Sequence, residues 1–295
     1  MSGSRDRSAP AVGTTGPASG EPAAGGPAAG EGARVRHNRL RALWIAALVG
    51  AVPGVVVAVA LALAGLPGAA VIALVVVAFA VSWWTWRTAP TRIVRAVGAR
   101  PSDETAHPRL HNLVEGLCAS MGLPRPAIAV VDHQVPNAMA LGRDPSLAIL
   151  VVTSALERCL SLVQLEGVLA HELVHVKRGD TVLAGMAVAA MAPWSMLAGV
   201  DRAAAGVHTL IGPGREFSAD QRAAEVVRYP PGIGSALEVM SAGAPVPTRW
   251  PPGTGRTGAV TRWLWIDPLA GAASPRPVEG DLDDTRVRAE AQSLR

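Results

Sequence analysis

Two uncharged apolar runs near the start of the chain constrain its fold more than any other feature. They cover residues 42–65 and 69–86 and are separated only by Leu66-Pro67-Gly68. The first run is about 24 residues long and the second about 18, so each can cross a hydrocarbon core of roughly 30 Å. A buried hairpin of a soluble protein is the alternative, but uncharged runs of this length favour a transmembrane helical hairpin within residues 37–88.

Arginines flank this hairpin on both sides, whereas the turn between its two runs carries no charge. The flanking residues are Arg34, Arg36, Arg39 and Arg41 before the hairpin and Arg87, Arg92, Arg95 and Arg100 after it. By the positive-inside rule, both ends of the hairpin face the cytoplasm. The sequence therefore predicts a multi-pass protein of the cell membrane with its larger, C-terminal part on the cytoplasmic side.

The same arginines account for the basic character of the chain, which has a net charge of +4 and a pI near 10.0. A basic chain is often a nucleic-acid binder. Here the arginines cluster beside apolar spans, so the lipid bilayer is the expected partner and nucleic acid is not.

The segment His171-Glu172-Leu173-Val174-His175 brings two imidazoles and a carboxylate together. Residues four apart lie on the same face of a helix, so His171 and His175 can bind one metal ion. Glu172 projects roughly 100° further round the axis, where it can reach a water at the metal without binding the metal. Two histidine ligands beside a carboxylate base are what metal-assisted attack of water on a peptide bond requires.

The surrounding pattern predicts a helix over residues 161–178. Ser161 and Gln164 form a capping box at its start, and Gly179 ends it after two basic residues. Its apolar stripe consists of Leu162, Leu165, Val168, Leu169, Leu173 and Val176. The motif alone arises by chance on the order of once in a hundred chains. The helical context is therefore what favours a zinc site over a packed or solvated histidine pair.

A catalytic zinc also needs a third protein ligand and an open position for water. The downstream candidates are Asp180, Asp201, His208, Glu216, Asp220 and Glu225. Glu216 is favoured because it opens a second helical stretch, with Asp220 four residues later on the same face. Asp220 is thereby placed to orient a ligand histidine, as metal-bound imidazoles usually require. The alternative is an ordinary charged first turn of a helix.

Three segments around these residues resemble peptidase family M48, which includes the HtpX-type heat-shock proteases and the CAAX-prenyl endopeptidases. They are Leu165–His175, Lys177–Asp180 and Arg215–Asp220. Two further segments, Pro136–Ala140 and Trp263–Leu269, resemble the family's edge strand and its late aromatic-Asn-Pro-Leu element. The similarity covers residues 90–290, more than half of the chain.

The resemblance implies that His171, His175 and Glu216 bind one Zn²⁺ per chain and that Glu172 is the general base. It implies a membrane-anchored zinc endopeptidase that acts on protein or peptide substrates, with membrane protein quality control as its role. Processing of prenylated proteins is an alternative that differs only in the substrate. A non-catalytic membrane scaffold with a peptidase fold is the alternative from another class. The intact motif argues against it, because a scaffold does not need the base.

The chain departs from HtpX-type members in two places. Those members usually end with a Thr-His-Pro element, whereas the matching region here, residues 284–288, lacks the His-Pro. They also carry two full membrane spans after the zinc helix. Here the apolar run 181–200 contains Pro193 and is followed by a stretch too short to cross back. We expect a short hairpin over residues 181–212, packed on the domain or dipping into the bilayer.

The fold class predicted after the hairpin is α+β, a mainly helical zincin-type catalytic domain with a small sheet. Residues 110–121 suit an amphipathic helix, and 127–131, 137–141 and 147–152 suit short strands. The strand at 137–141 is the candidate edge to which an extended peptide substrate would add.

The chain is thus expected to have four parts. Residues 1–36 are mainly small residues and proline with almost nothing to bury, which predicts a disordered N-terminal tail. The other parts are the transmembrane hairpin at 37–88, the zinc metallopeptidase domain at 89–240, and a partly flexible C-terminal extension of that domain at 241–295.

Overall fold

Helices dominate the computed structural model, which describes residues 27–212, 214–242, 251–252 and 255–267. The helices are α1 (Pro27–Leu63), α2 (Pro67–Ala96), α3 (Pro108–Met121), α4 (Ser154–Cys159), α5 (Leu162–Arg178), α6 (Asp180–Met191), α7 (Ser195–Ala198), α8 (Val200–Ile211), α9 (Arg215–Val227), α10 (Pro230–Ser241) and α11 (Gly255–Val260). The strands are β1 (Arg100–Pro101), β2 (Ala127–Val131), β3 (Ala138–Leu141) and β4 (Ile149–Thr153). The predicted fold class, mainly helical α+β behind an apolar hairpin, is confirmed.

The first two helices pack against each other as a hairpin, and both are long and apolar enough to cross a membrane. Their backbones approach closely, since a Cβ added to Gly50 would clash with the carbonyl oxygen of Ala78. The Ser82 hydroxyl also donates to the carbonyl of Ala46, at 2.8 Å. Small residues at a helix interface are the usual means of association within a bilayer. Pro67 is the first residue of α2 and not part of the turn. Proline is tolerated there because the first N–H groups of a helix have no partner within the helix, so the N–H that proline lacks is not missed.

Both helices extend beyond the predicted spans. Because α1 begins at Pro27, the prediction of a disordered tail is wrong for residues 27–36, and residues 1–26 lie outside the described part. Residues 27–36 make tertiary contacts that composition does not reveal: Arg34 donates to Ser218 Oγ at 3.3 Å, and the Glu31 carboxylate lies 3.4 Å from Arg222 Nε. The other domain boundaries stay predictions, and residues 268–295 of the C-terminal extension also lie outside the described part.

The four strands form one sheet with the order β1-β2-β4-β3. Strands β2 and β4 are parallel, whereas β1 and β3 are antiparallel to their neighbours, with Ala138 opposite Val152. Strand β3 is therefore an edge of the sheet, as predicted for this segment. Strand β4 begins at Ile149, two residues later than predicted, because Asp144 caps a short 3-10 turn over Pro145–Leu147.

Apolar side chains cover both faces of the sheet. Leu150 and Val152 of β4 belong to a core with α3, α5, α9 and α10. Val151 points the other way, into a core with the end of α2, α6 and α8. The helix that carries the His-Glu-His motif is thus packed directly on one face of the sheet.

The apolar run after that helix divides as predicted. Helices α6 and α8 are its two arms, and Pro193 lies in the turn after α6. Helix α6 packs against α1 and α8, and the described tip of the hairpin exposes Trp194, Met196 and Leu197. Insertion of this tip into the bilayer stays a prediction.

We predict that replacing Gly167 by alanine lowers the stability of the catalytic domain. An added Cβ would lie 2.9 Å from Ile233 N and 3.1 Å from Ile233 Cα, so α5 and α10 would have to move apart. Overpacking of this kind typically costs about 1–3 kcal/mol. Thermal unfolding of the detergent-solubilised protein measures the effect.

The matched control is Gly116→Ala in α3, where an added Cβ meets nothing within 4 Å. Because alanine restricts the unfolded chain, this control should be neutral or raise stability by up to about 1 kcal/mol. Equal unfolding midpoints for the two variants would contradict the packing argument.

Candidate metal centre

Helix α5 presents the His-Glu-His motif from a rigid, well-terminated segment. Its start is a complete capping box, in which Gln164 N–H donates to Ser161 Oγ and the Gln164 side chain accepts from Ser161 N–H. Its end is Gly179, whose φ of 69° lies in the left-handed region that glycine adopts without strain. The helix predicted from the sequence is confirmed.

Three acceptor atoms from α5 and α9 converge on one point. His171 Nε2 lies 3.0 Å from Glu216 Oε2 and 3.1 Å from His175 Nε2. His175 Nε2 lies 3.4 Å from the same Glu216 oxygen. All three side chains are buried, and among the described residues they form the group of His, Cys, Asp and Glu side chains that could hold a metal ion.

A carboxylate lies behind each imidazole. His171 Nδ1 is 2.7 Å from Asp220 Oδ1, and His175 Nδ1 is 2.9 Å from Asp180 Oδ2. Each carboxylate favours a proton on Nδ1 of its histidine, which leaves the Nε2 lone pair directed at the shared point. The sequence predicted this orienting role for Asp220. It placed Asp180 only among the possible ligands.

The donor set fits a divalent zinc ion. Two imidazole nitrogens and one carboxylate oxygen are a known ligand combination for catalytic zinc, which keeps one further position open. Acceptor atoms packed at 3.0–3.4 Å repel one another unless a proton or a cation lies between them. The geometry therefore calls for a positive charge at this point.

Electrostatics within the cluster agree with this requirement. Burial raises the pKa of Glu216, but the Arg215 guanidinium, 2.6 Å from Oε1, acts together with the charge of His175 and the hydrogen bonds of both histidines, and their combined effect holds that pKa well below its usual value. Burial lowers the pKa of His175, yet the Glu216 charge and the hydrogen bonds to Asp180 and Glu216 together outweigh burial and raise this pKa to about 9. The carboxylate is thus ionised, and a metal ion must displace a proton from the histidine.

Glu172 differs from Glu216 in its surroundings. It is also buried, and burial raises the pKa of its carboxyl, while the charges of His171 and His175 act in the opposite direction. No group in the described part of the chain forms a hydrogen bond with its carboxylate. Glu172 therefore lies beside the cluster with its oxygens uncommitted, as a proton acceptor requires.

A residue of the first membrane helix completes the network, and sequence reasoning missed it. Asn38 Nδ2 donates to Asp180 Oδ1 at 2.6 Å and to the carbonyl of Arg178 at 3.3 Å. Asp180 in turn holds His175. Arg215, which fixes Glu216 and also donates to the Trp263 carbonyl, was missed in this role as well. The Asn38 contact has no local signal, because Asp180 lies 142 residues away, and the Trp263 carbonyl that also holds Arg215 lies 48 residues away.

The remaining candidates for the third ligand lie elsewhere. Asp201 has a side chain that is 91% exposed, and Glu225 pairs with Arg222 at 2.6 Å on the surface of α9. The ring of His208 stacks on Trp263, with 4.1 Å between centroids. Of the six acidic and histidine candidates, the structure brings only Glu216 to the two motif histidines as a third metal-binding group.

Comparisons with known proteins agree with the geometry. The model of peptidase family M48 matches residues 104–229, which include the motif and Glu216. A protease HtpX homolog of Gemmatimonas aurantiaca is 32% identical over 223 residues, covering 67% of this chain and 79% of the relative. No solved structure matches the chain.

Two other relatives, both also described as protease HtpX homologs, are covered less completely. The one from Dictyoglomus thermophilum is 32% identical over 55% of this chain, and the one from Pyrococcus furiosus is 37% identical over 47%. The aligned regions span 64% and 58% of these relatives. The extent of these matches, together with the matched family model, shows that the chain belongs to peptidase family M48 and is similar to its HtpX members.

Proposed function

We propose that this protein is a membrane-anchored, zinc-dependent endopeptidase that hydrolyses peptide bonds in protein substrates. The observation that carries the proposal is the convergence of two Nε2 atoms and one carboxylate oxygen within 3.4 Å, beside the Glu172 carboxylate, which has no hydrogen-bond partner among the described residues. His171, His175 and Glu216 would hold one zinc ion. Glu172 would act as the general base.

The roles of the two glutamates follow from what each one contacts. Arg215 and the two histidines keep Glu216 ionised and fixed, which suits a ligand. Glu172 has a raised pKa because it is buried, which makes its carboxylate a stronger base near neutral pH. Zinc, when bound, would polarise the scissile carbonyl and lower the pKa of water toward about 7. Glu172 would accept the proton released from water and pass it to the leaving amine.

Strand β3 is the proposed binding edge for an extended substrate. Thr153 N–H donates to the carbonyl of Asn137. Because hydrogen-bonded and non-hydrogen-bonded positions alternate along an antiparallel pair, the main-chain groups of Ala138 and Ala140 point away from β4. The carbonyl of Ala138 already accepts from Ile266 N–H at 3.0 Å. Within the described residues, Ala140 has no such partner on this side. Main-chain pairing there would bind peptides with low sequence selectivity, as protein quality control in a membrane requires.

We further propose that the catalytic domain lies on the cytoplasmic side of the cell membrane. The start of α1 packs against that domain through Arg34, Asn38 and Arg41, so both must lie on one side. The arginines at both ends of the hairpin favour the cytoplasmic side.

Glutamine in place of Glu172 is expected to abolish proteolysis and to leave zinc bound. Glutamine keeps the shape of the side chain but cannot accept the proton from water, and loss of an essential base costs at least about 10²–10⁴-fold in rate. Cleavage of casein by the detergent-solubilised protein, with zinc content measured in parallel, tests this. Glu166→Gln on the same helix is the matched control and should retain activity.

Activity that survives in Glu172→Gln would contradict the mechanism. A wild-type protein that binds zinc but cleaves neither casein nor other unfolded proteins would favour the scaffold alternative.

Asparagine in place of Asp220 should weaken zinc binding by about 10- to 100-fold, the usual cost of losing an outer partner of a ligand histidine. His175→Ala should lose the metal entirely, because it removes a ligand. Zinc affinity is measured by competition with a chelator of known affinity. Glu225→Gln, on the surface of the same helix, should bind zinc like the wild type. Full zinc occupancy in a His171→Ala/His175→Ala double variant would refute the ligand assignment.

Reporter fusions test the orientation in a bacterial host. An alkaline phosphatase that is active only when exported should be inactive when fused after residue 295 and active when fused after residue 65, in the turn between the two spans. An active fusion at residue 295 would place the catalytic domain on the opposite side and overturn the proposed topology.

A further inference from the structure

A cavity of about 680 Å³ lies where α2 leaves its apolar part and meets the sheet. One wall is α2 itself, through Arg87 and the residues one turn later. The floor is the start of β2 and β4, with Ile128 and Ile149, and the far wall includes Arg125 and Arg143. The cavity thus combines an apolar floor with three guanidinium groups, one carboxylate (Glu104) and one imidazole (His111).

Most of this positive charge is not neutralised. Arg125 pairs with Glu104 at 2.6 Å and lies 3.7 Å from Glu115. Within the described residues, by contrast, neither Arg87 nor Arg143 has a carboxylate oxygen within 4.0 Å. The carboxylate next to Arg143, that of Asp144, accepts from the main chain and hydroxyl of Ser146 and forms no ion pair with Arg143, although the Arg143 charge still contributes to lowering the pKa of Asp144. Two arginines are therefore available to an anionic ligand.

The cavity continues an apolar stripe on the span. Val76, Phe79, Trp83 and Arg87 are spaced by three, four and four positions, which places them on one face of α2. The first three are 58%, 69% and 55% exposed, although they are large and apolar. The rings of Phe79 and Trp83 stack with 6.4 Å between centroids, and the guanidinium of Arg87 lies 5.7 Å from the Trp83 ring. This order, apolar then aromatic then cationic, follows the depth profile of a lipid monolayer.

We propose that this cavity binds the headgroup of an anionic phospholipid. Arg87 and Arg143 bind the phosphodiester, since the planar guanidinium matches phosphate oxygens in geometry and charge. The acyl chains lie along Val76, Phe79 and Trp83. A soluble phosphate compound would use only the charged part of this surface and leave the apolar stripe without a partner. The proposal rests on α2 being a membrane span and does not depend on peptidase activity.

The test uses the full chain in a non-ionic detergent, with lipid binding followed by native mass spectrometry and by the thermal midpoint. The ligands are phosphatidylglycerol, phosphatidylcholine and glycerol 3-phosphate. Phosphatidylglycerol should bind at least about tenfold more tightly than phosphatidylcholine, because an arginine near an anionic surface contributes roughly fivefold in affinity. Glycerol 3-phosphate at the same concentrations should neither bind detectably nor raise the midpoint.

The decisive variant is Arg87→Gln/Arg143→Gln, which should lose the preference for phosphatidylglycerol. Its control is Arg158→Gln/Arg228→Gln, which removes two exposed arginines outside the cavity and should keep the preference. Equal midpoints of all proteins without lipid show that folding is unchanged. A preference that survives in the first variant, or that is lost equally in the second, would overturn the site. Binding of glycerol 3-phosphate as tight as that of the lipid would overturn the lipid assignment.

Discussion

The structure depends on the burial of a tightly packed polar cluster on helix α5. Three acceptor atoms within 3.4 Å are unfavourable in an apolar interior unless each side chain is held by further partners and a positive charge lies between them. The partners are two carboxylates behind the histidines and one guanidinium behind Glu216. Each comes from a different part of α6 or α9, so these helices must pack against α5 in a single arrangement. The same requirement fixes the sharp turn at Gly179, which brings Asp180 back to His175.

The membrane helix belongs to this network and is more than an anchor. Asn38 of α1 donates to Asp180, which holds His175, so two hydrogen bonds connect the first helix with a candidate zinc ligand. Asn38 is itself buried, and an unsatisfied amide at this place would cost about 1–3 kcal/mol. The start of α1 therefore has a defined position on the catalytic domain. A movement of α1 relative to α6 would reach His175, a candidate ligand, through these two hydrogen bonds.

What the sequence reveals about this fold is local, and what it conceals is long-range. The capping box, the two motif histidines and the glycine stop all lie within residues 161–179, so α5 could be predicted with its ends. The role of Asn38 could not, because Asp180 lies 142 residues away. Arg215 is next to Glu216 in the sequence, but adjacency alone does not show that the two side chains pair, and the Trp263 carbonyl that also holds Arg215 lies 48 residues away. For the same reason residues 27–36 were predicted to be disordered. Their composition is poor in apolar groups, yet contacts with α9 and the start of α6 order them.

A short C-terminal segment links the metal centre to the edge of the sheet. The Trp263 carbonyl accepts from Arg215, which fixes Glu216. Three residues later, Ile266 N–H donates to the carbonyl of Ala138, and Asn137 exchanges hydrogen bonds with the main chain of Asp267 at 2.7 and 3.1 Å. The start of β3 is thus already paired with the chain itself, and the residues of β3 are buried, so part of this sheet edge is protected from unwanted association. An extended substrate bound as proposed would pair further along β3, and the segment that occupies the start of this edge is also the one that positions the third candidate ligand.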